Sequence, residues 1–133
     1  MSPSSFAQIS PREDELGRHI VDAAFSVHSH LGAGLLESVY EACFCHELAK
    51  RQLHFQRQVI VPVRYDDLVL DQGFRLDVLV EDLIICELKA IYDLPAVCSA
   101  QLLTYLRLAN KRLGFLINFN VPLIKDGIQR MII

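Results

Sequence analysis

The alternation of apolar and polar residues divides the chain into a series of short elements. After Ser10-Pro11-Arg12-Glu13, a capping box with proline at the first helical position, Leu16, Ile20, Ala23, Ala24, Val27 and Leu31 recur at helical spacing. They predict a first helix, stopped by Gly32-Ala33-Gly34. A second helix is predicted from about Leu35 to Arg51, with Leu36, Val39, Tyr40, Cys43 and Leu48 on its buried side. The period then falls from 3.6 to two. Val59, Val61, Val63 and Tyr65 share one side of a strand from Gln58 to Tyr65, in which Pro62 implies a sheet edge or a bulge. Tyr65-Asp66-Asp67-Leu68 turns the chain into a strand from about Val69 to Val80, where Gly73 is a bending point. Glu81 and Asp82 turn it again into Leu83–Ala90, apolar on both faces apart from Glu87 and Lys89, as suits a strand covered on both sides. Pro95 opens a third helix reaching about Asn110. Leu113–Phe119 is a short buried strand, Lys125-Asp126-Gly127 a turn, and Ile128–Ile133 a final strand. A three-stranded meander followed by a crossover helix and further strands gives an α/β fold: a mixed central β-sheet flanked by helices.

Bulk properties narrow the class. The 133 residues are 52% hydrophobic and 22% charged, which describes a globular chain with one core rather than a disordered one. We expect a single domain over residues 11–133 and a disordered lead-in over 1–10. That lead-in lacks the basic and apolar regions of a secretory signal, and no apolar run is long enough to span a bilayer, so a cytoplasmic, non-membrane protein is expected. The net charge of −3 differs from that of a strongly basic nucleic-acid binder, so any phosphate contact must come from a local patch or a metal. Cys43, Cys45, Cys86 and Cys98 form no Cys-x-x-Cys pair and read as free thiols. His28 and His30 do not share a helix face and read as solvated residues near a helix C-terminus.

Chemistry enters where charge interrupts the greasy strands. Asp77, Glu87 and Lys89 stand at positions that a buried strand should not charge, because a buried charge is costly unless paired or bound to a metal. Glu87 and Lys89 are two apart and project from one strand face. Two carboxylates and an amine on one sheet face could hold a hard divalent cation and activate a water; equally, Lys89 could form a buried ion pair with Asp77 or Glu87. On helix two, Glu37 and Glu41 stack four apart, as do Gln101 and Tyr105 on helix three. For the two glutamates a wet helix face is the simpler reading.

Taken together, Asp77, then Glu87-Leu88-Lys89, then a helix carrying Gln101, resemble the PD-(D/E)XK nuclease superfamily, with its restriction-endonuclease-like core. Within it the chain is similar to the small bacterial GxxExxY proteins: Gly34-Leu35-Leu36-Glu37-Ser38-Val39-Tyr40 matches that pattern, and Glu87-Leu88-Lys89-Ala90, Gln101-Leu102-Leu103-Thr104-Tyr105-Leu106 and Leu116-Ile117-Asn118-Phe119 look like its later segments. The resemblance spans roughly Arg12 to Ile132. Leu76 stands where the superfamily's name has proline. The resemblance implies that Asp77 and Glu87 hold Mg²⁺ or Mn²⁺ with the backbone carbonyl of Leu88, that Glu37 reaches the metal directly or through water, and that Lys89 positions or deprotonates the attacking water. Gln101 and Tyr105 would orient the site and the DNA end. The activity implied is metal-dependent hydrolysis of phosphodiester bonds in DNA. The alternative is a catalytically silent nuclease-fold module that binds nucleic acid or a partner protein. A homo-oligomer or a protein partner would suit so small and acidic a chain.

Parity constrains the central hairpin. A two-residue turn at Glu81-Asp82 would pair Asp77 with Cys86 and point the two carboxylates apart. A three-residue loop, Glu81-Asp82-Leu83, or a bulge, would place Asp77 opposite Glu87. A shared metal site requires the second arrangement.

Overall fold

The computed structural model describes residues 8–133. Most of the expected lead-in, residues 1–7, lies outside the described residues; of the rest, Ile9 packs against the core and Ser10 caps the first helix. Helix α1 spans Pro11–Leu31. Its capping box is complete: the Glu13 amide donates to Ser10 Oγ at 3.0 Å, and the Ser10 amide donates to Glu13 Oε1 at 2.8 Å. Helix α2 follows over Glu37–Lys50, then strands β1 (Phe55–Tyr65), β2 (Leu68–Val80) and β3 (Ile84–Lys89), helix α3 (Ala96–Ala109), β4 (Leu113–Asn118), a 3₁₀ turn (Ile124–Gly127) and β5 (Ile128–Ile132). The five strands form one sheet in sequence order. All neighbours are antiparallel except β3 and β4, which run parallel because α3 carries the chain back between them.

Helices cover both faces of the sheet. Leu16, Ile20, Ala23, Ala24 and Val27 of α1 and Tyr40, Phe44 and Leu48 of α2 meet Val78, Val80, Ile84, Cys86, Leu88, Phe115 and Ile117. On the other face, Leu102 and Leu106 of α3 meet Leu76, Leu79, Ile85 and Leu116. Alternation along β3 therefore turns Glu87 and Lys89 to the α3 side. Several expected core positions are displaced. Leu36 is 74% exposed because α2 begins at Glu37, two residues later than its apolar pattern implies, which leaves Leu36 as the N-cap; Val39 and Leu31 are exposed as well.

Pro62 sits on the sheet edge and also at a bulge, where the β1–β2 register shifts between Val61 and Val63. Gly73 lies against that bulge: a Cβ there would come within 2.2 Å of Val63 Cγ2 and 2.8 Å of the Val63 nitrogen. His28, expected in solvent, instead bonds through Nε2 to the Val121 carbonyl at 2.8 Å, tying α1 to the segment after β4. All four cysteines are free thiols. No helix among the described residues is long and apolar enough to cross a membrane.

Candidate active site

The β2–β3 connection is the three-residue loop. Val80 pairs with Ile84, Leu79 with Ile85 and Val78 with Cys86, which leaves Glu81-Asp82-Leu83 as the turn. Glu81 and Asp82 both adopt positive φ, 51° and 55°, the left-handed conformation that closes it. In this register the position opposite Asp77 is Glu87. The backbone ladder stops one pair short of them, and their side chains take over. The Asp77 amide donates to Glu87 Oε2 at 2.8 Å, and the Leu88 amide donates to Asp77 Oδ2 at 2.8 Å. Each carboxyl thus spends one oxygen on the opposite strand's backbone. Among the described residues no side-chain oxygen is both buried and unpartnered, so the remaining oxygens, Asp77 Oδ1 and Glu87 Oε1, open to the site rather than into the core.

A second irregularity coincides with the first. Val78 and Val80 face α1 and α2, yet Leu76 faces α3, so the alternation of β2 flips at Asp77. The β1–β2 ladder is paired at Arg57 with Val78 and again at Val59 with Leu76; between them Gln58 sits at φ 53°. Both strands step past this point together and keep register. The sheet is therefore distorted where Asp77 projects, a common feature of strands that re-aim a functional side chain.

Electrostatics set these carboxyls apart from surface acids. Glu87 is only 4% exposed, and burial first, then the neighbouring Asp77, push its pKa up to about 8, against the pull of the Asp77 amide and Lys89. Asp77 is raised chiefly by burial, with the Leu88 amide opposing. Glu37, the first residue of α2, is raised by desolvation and then by Asp77, with Lys89 lowering it, which places it within electrostatic reach of both. On the α3 side, Tyr105 stacks on Phe74 with ring centroids 4.5 Å apart, and burial followed by the Glu87 charge keeps its hydroxyl protonated beyond the ordinary range. Gln101, one helical turn earlier, is exposed. Lys89 is half-buried at the end of β3. Asp77, Glu87, Lys89, Glu37 and Tyr105 are thus brought to one region, while among the described residues no hydrogen bond or charge interaction links Gln101 to them. Among the described residues, no three His, Cys, Asp or Glu side chains converge closely enough to cage a metal by themselves. The donor set still suits a hard cation: oxygen atoms only, with one oxygen of each carboxyl anchored from behind by a backbone amide.

Glu41 corrects the expectation of a wet face. It is 8% exposed, with Arg57 Nη2 2.9 Å and Gln58 Nε2 2.8 Å from its two oxygens. Both partners come from β1, so spacing within α2 carried no sign of them. Asn118 was legible only as part of a motif, not as a clamp. Buried at the end of β4 beside Lys89 in the parallel register, it accepts from the amides of Ile91 and Asn120, each at 3.2 Å, and donates to the Ile91 carbonyl at 2.9 Å. The Gly34–Tyr40 segment has a comparable logic. Gly34 adopts φ +99°, which favours glycine, and the Tyr40 hydroxyl donates to the Gly32 carbonyl at 2.6 Å while its ring stacks on Phe119 at 4.6 Å. These contacts fix the loop that delivers Glu37.

A family model described as the PD-(D/E)XK nuclease superfamily matches residues 14–131. Searches of the curated proteins and of the solved structures return no significant match. The match encloses the hairpin with its cross-anchored carboxyls, Glu37 before it and Tyr105 after it, and the mixed sheet flanked by helices is the architecture that superfamily shares. The chain belongs to the PD-(D/E)XK nuclease superfamily.

Proposed function

We propose that this protein is a Mg²⁺- or Mn²⁺-dependent nuclease that hydrolyses phosphodiester bonds in DNA, and that it is a GxxExxY-type member of its superfamily. The observation that carries the reading is the reciprocal anchoring of Asp77 and Glu87 across the hairpin, which leaves one oxygen of each turned to the site beside Lys89. Asp77 and Glu87 would hold the cation, with the Leu88 carbonyl and Glu37 completing its shell directly or through water. When bound, such an ion stabilises the negative charge that grows on the phosphate during attack. Lys89 activates the attacking water, on a strand end that Asn118 holds in place. Tyr105, protonated and braced on Phe74, offers a hydrogen-bond donor, and the exposed Gln101 meets the nucleic acid.

Cleavage of linear, circular and single-stranded DNA with Mn²⁺, comparing the parent with Lys89→Ala, tests the reading. We expect Lys89→Ala to lose at least a hundredfold in rate with its melting temperature within a few degrees of the parent's. Equal cleavage by the two would remove Lys89 from the mechanism, and no cleavage by the parent on any substrate would leave a fold that binds nucleic acid or a partner without cutting.

A further inference from the structure

Three residues beyond Lys89, the chain exposes an aromatic ring with no packing role. Tyr92 is 88% exposed. It is not on a loose loop, since both backbone groups of its neighbour Ile91 are bonded to the buried Asn118 side chain. The ring rims a cleft of about 400 Å³ that is bounded by Pro95 and Ser99 at the start of α3 and by Asp126 and Gln129 before and on β5, with Asn118 in its lining. Because Asn118 lies opposite Lys89 in the parallel ladder, this cleft adjoins the candidate active site.

We propose that the cleft receives one unpaired nucleobase of the substrate, stacked on Tyr92. The inference rests on the nuclease reading above and deepens it by naming the substrate class: single-stranded DNA or a frayed end. A base presents a flat π face to the ring and a polar edge to the Gln129 amide nitrogen and the Ser99 oxygen, which the Ser99 hydroxyl's own 2.7 Å hydrogen bond to Gln129 Oε1 holds side by side. Asp126 in the same lining repels a phosphate, so the base enters and the backbone stays on the Lys89 side. A base still paired in a duplex has its edge occupied by its partner and cannot enter. The hydrogen bonds from Asn118 hold the backbone beside Tyr92 before substrate arrives, which lowers the ordering cost of binding.

The test is anisotropy of end-labelled oligonucleotides in chelator-containing buffer, followed by cleavage with Mn²⁺. The parent should bind a single strand or a splayed end more tightly than a blunt duplex. Tyr92→Ala should weaken single-strand binding about tenfold and raise KM for that substrate to match, with a much smaller change on the duplex. Tyr92→Phe keeps the ring and should stay within about twofold of the parent on the single strand. Equal affinity of Tyr92→Ala and parent for single strands, or an equal loss on both substrates, would overturn this inference while leaving the nuclease reading intact if the parent still cleaves. A parent that neither binds nor cleaves nucleic acid would overturn both.

Discussion

At the scale of single residues, the site is held against the preference of the fold. Glu87 folds into surroundings that favour its neutral form, and its pKa rises to about 8 from an ordinary carboxyl value near 4.5. Below pH 4.5 the folded and unfolded chains both carry the proton. Between 4.5 and 8 the folded chain keeps a proton that the unfolded chain has released, so stability from this group falls as pH rises and is gone above about 8. Glu87→Gln removes the titration and retains an oxygen for the Asp77 amide. We therefore expect that variant, in chelator at pH 8, to be more stable than the parent by roughly 1–3 kcal/mol and to show a flatter dependence of melting temperature on pH. A parent as stable as Glu87→Gln across pH 5–9 would show that Glu87 carries no such burden. The sequence made this residue conspicuous because a charge among Ile84, Ile85, Cys86 and Leu88 must be either paired or part of a site. It could not make Glu41 so. Glu41 is buried by Arg57 and Gln58, which reach it from another element, and side-chain partners at that separation leave no periodic trace.

Elements were legible where pattern and punctuation agreed. The capping box fixed the start of α1, and Pro95 became the N-cap of α3. The end of α3 fell to Asn110, whose φ of 57° is the left-handed cap that asparagine tolerates. The beginning of α2 was misread because Leu35 and Leu36 are apolar but belong to an exposed loop ordered by Tyr40. In the hairpin, apolar residues on both faces left the register open, and the alternative with Asp77 opposite Glu87 is the one the chain adopts. The β1–β2 ribbon offers a separate test of element-scale reasoning. Gly73→Ala would drive a methyl into Val63 and its backbone nitrogen, so the bulge must reopen. We expect a loss of about 1–3 kcal/mol, read from denaturant unfolding, with amides around Val61 and Val63 losing protection. A neutral Gly73→Ala would mean that this part of the ribbon bends without cost.

Across the whole molecule, the two faces of the sheet are not held equally. One is covered by α1 and α2 over a continuous buried cluster; the other is covered by α3, whose fully buried contributions are Leu102 and Leu106. At about 1.5–3 kcal/mol for each buried leucine, α3 is secured by a small part of the total. Native-state hydrogen exchange should therefore show α3 amides exchanging at least tenfold faster than those of α1, and uniform protection of the two helices would contradict this ranking. Sequence showed that both faces were covered but not which cover was thin, since α3 reads as the more apolar helix while many of its apolar residues, Val97, Leu103 and Leu108 among them, face solvent. Tyr105 and Gln101 ride on that thinly secured helix, whereas Asp77, Glu87 and Lys89 belong to the strands beneath it. In mild urea, below the midpoint of global unfolding, the two groups should part company: the Tyr105–Phe74 stack would be lost while the carboxyl pair survives, so that, on the function proposed above, grip on substrate would fail before the capacity to hold a cation.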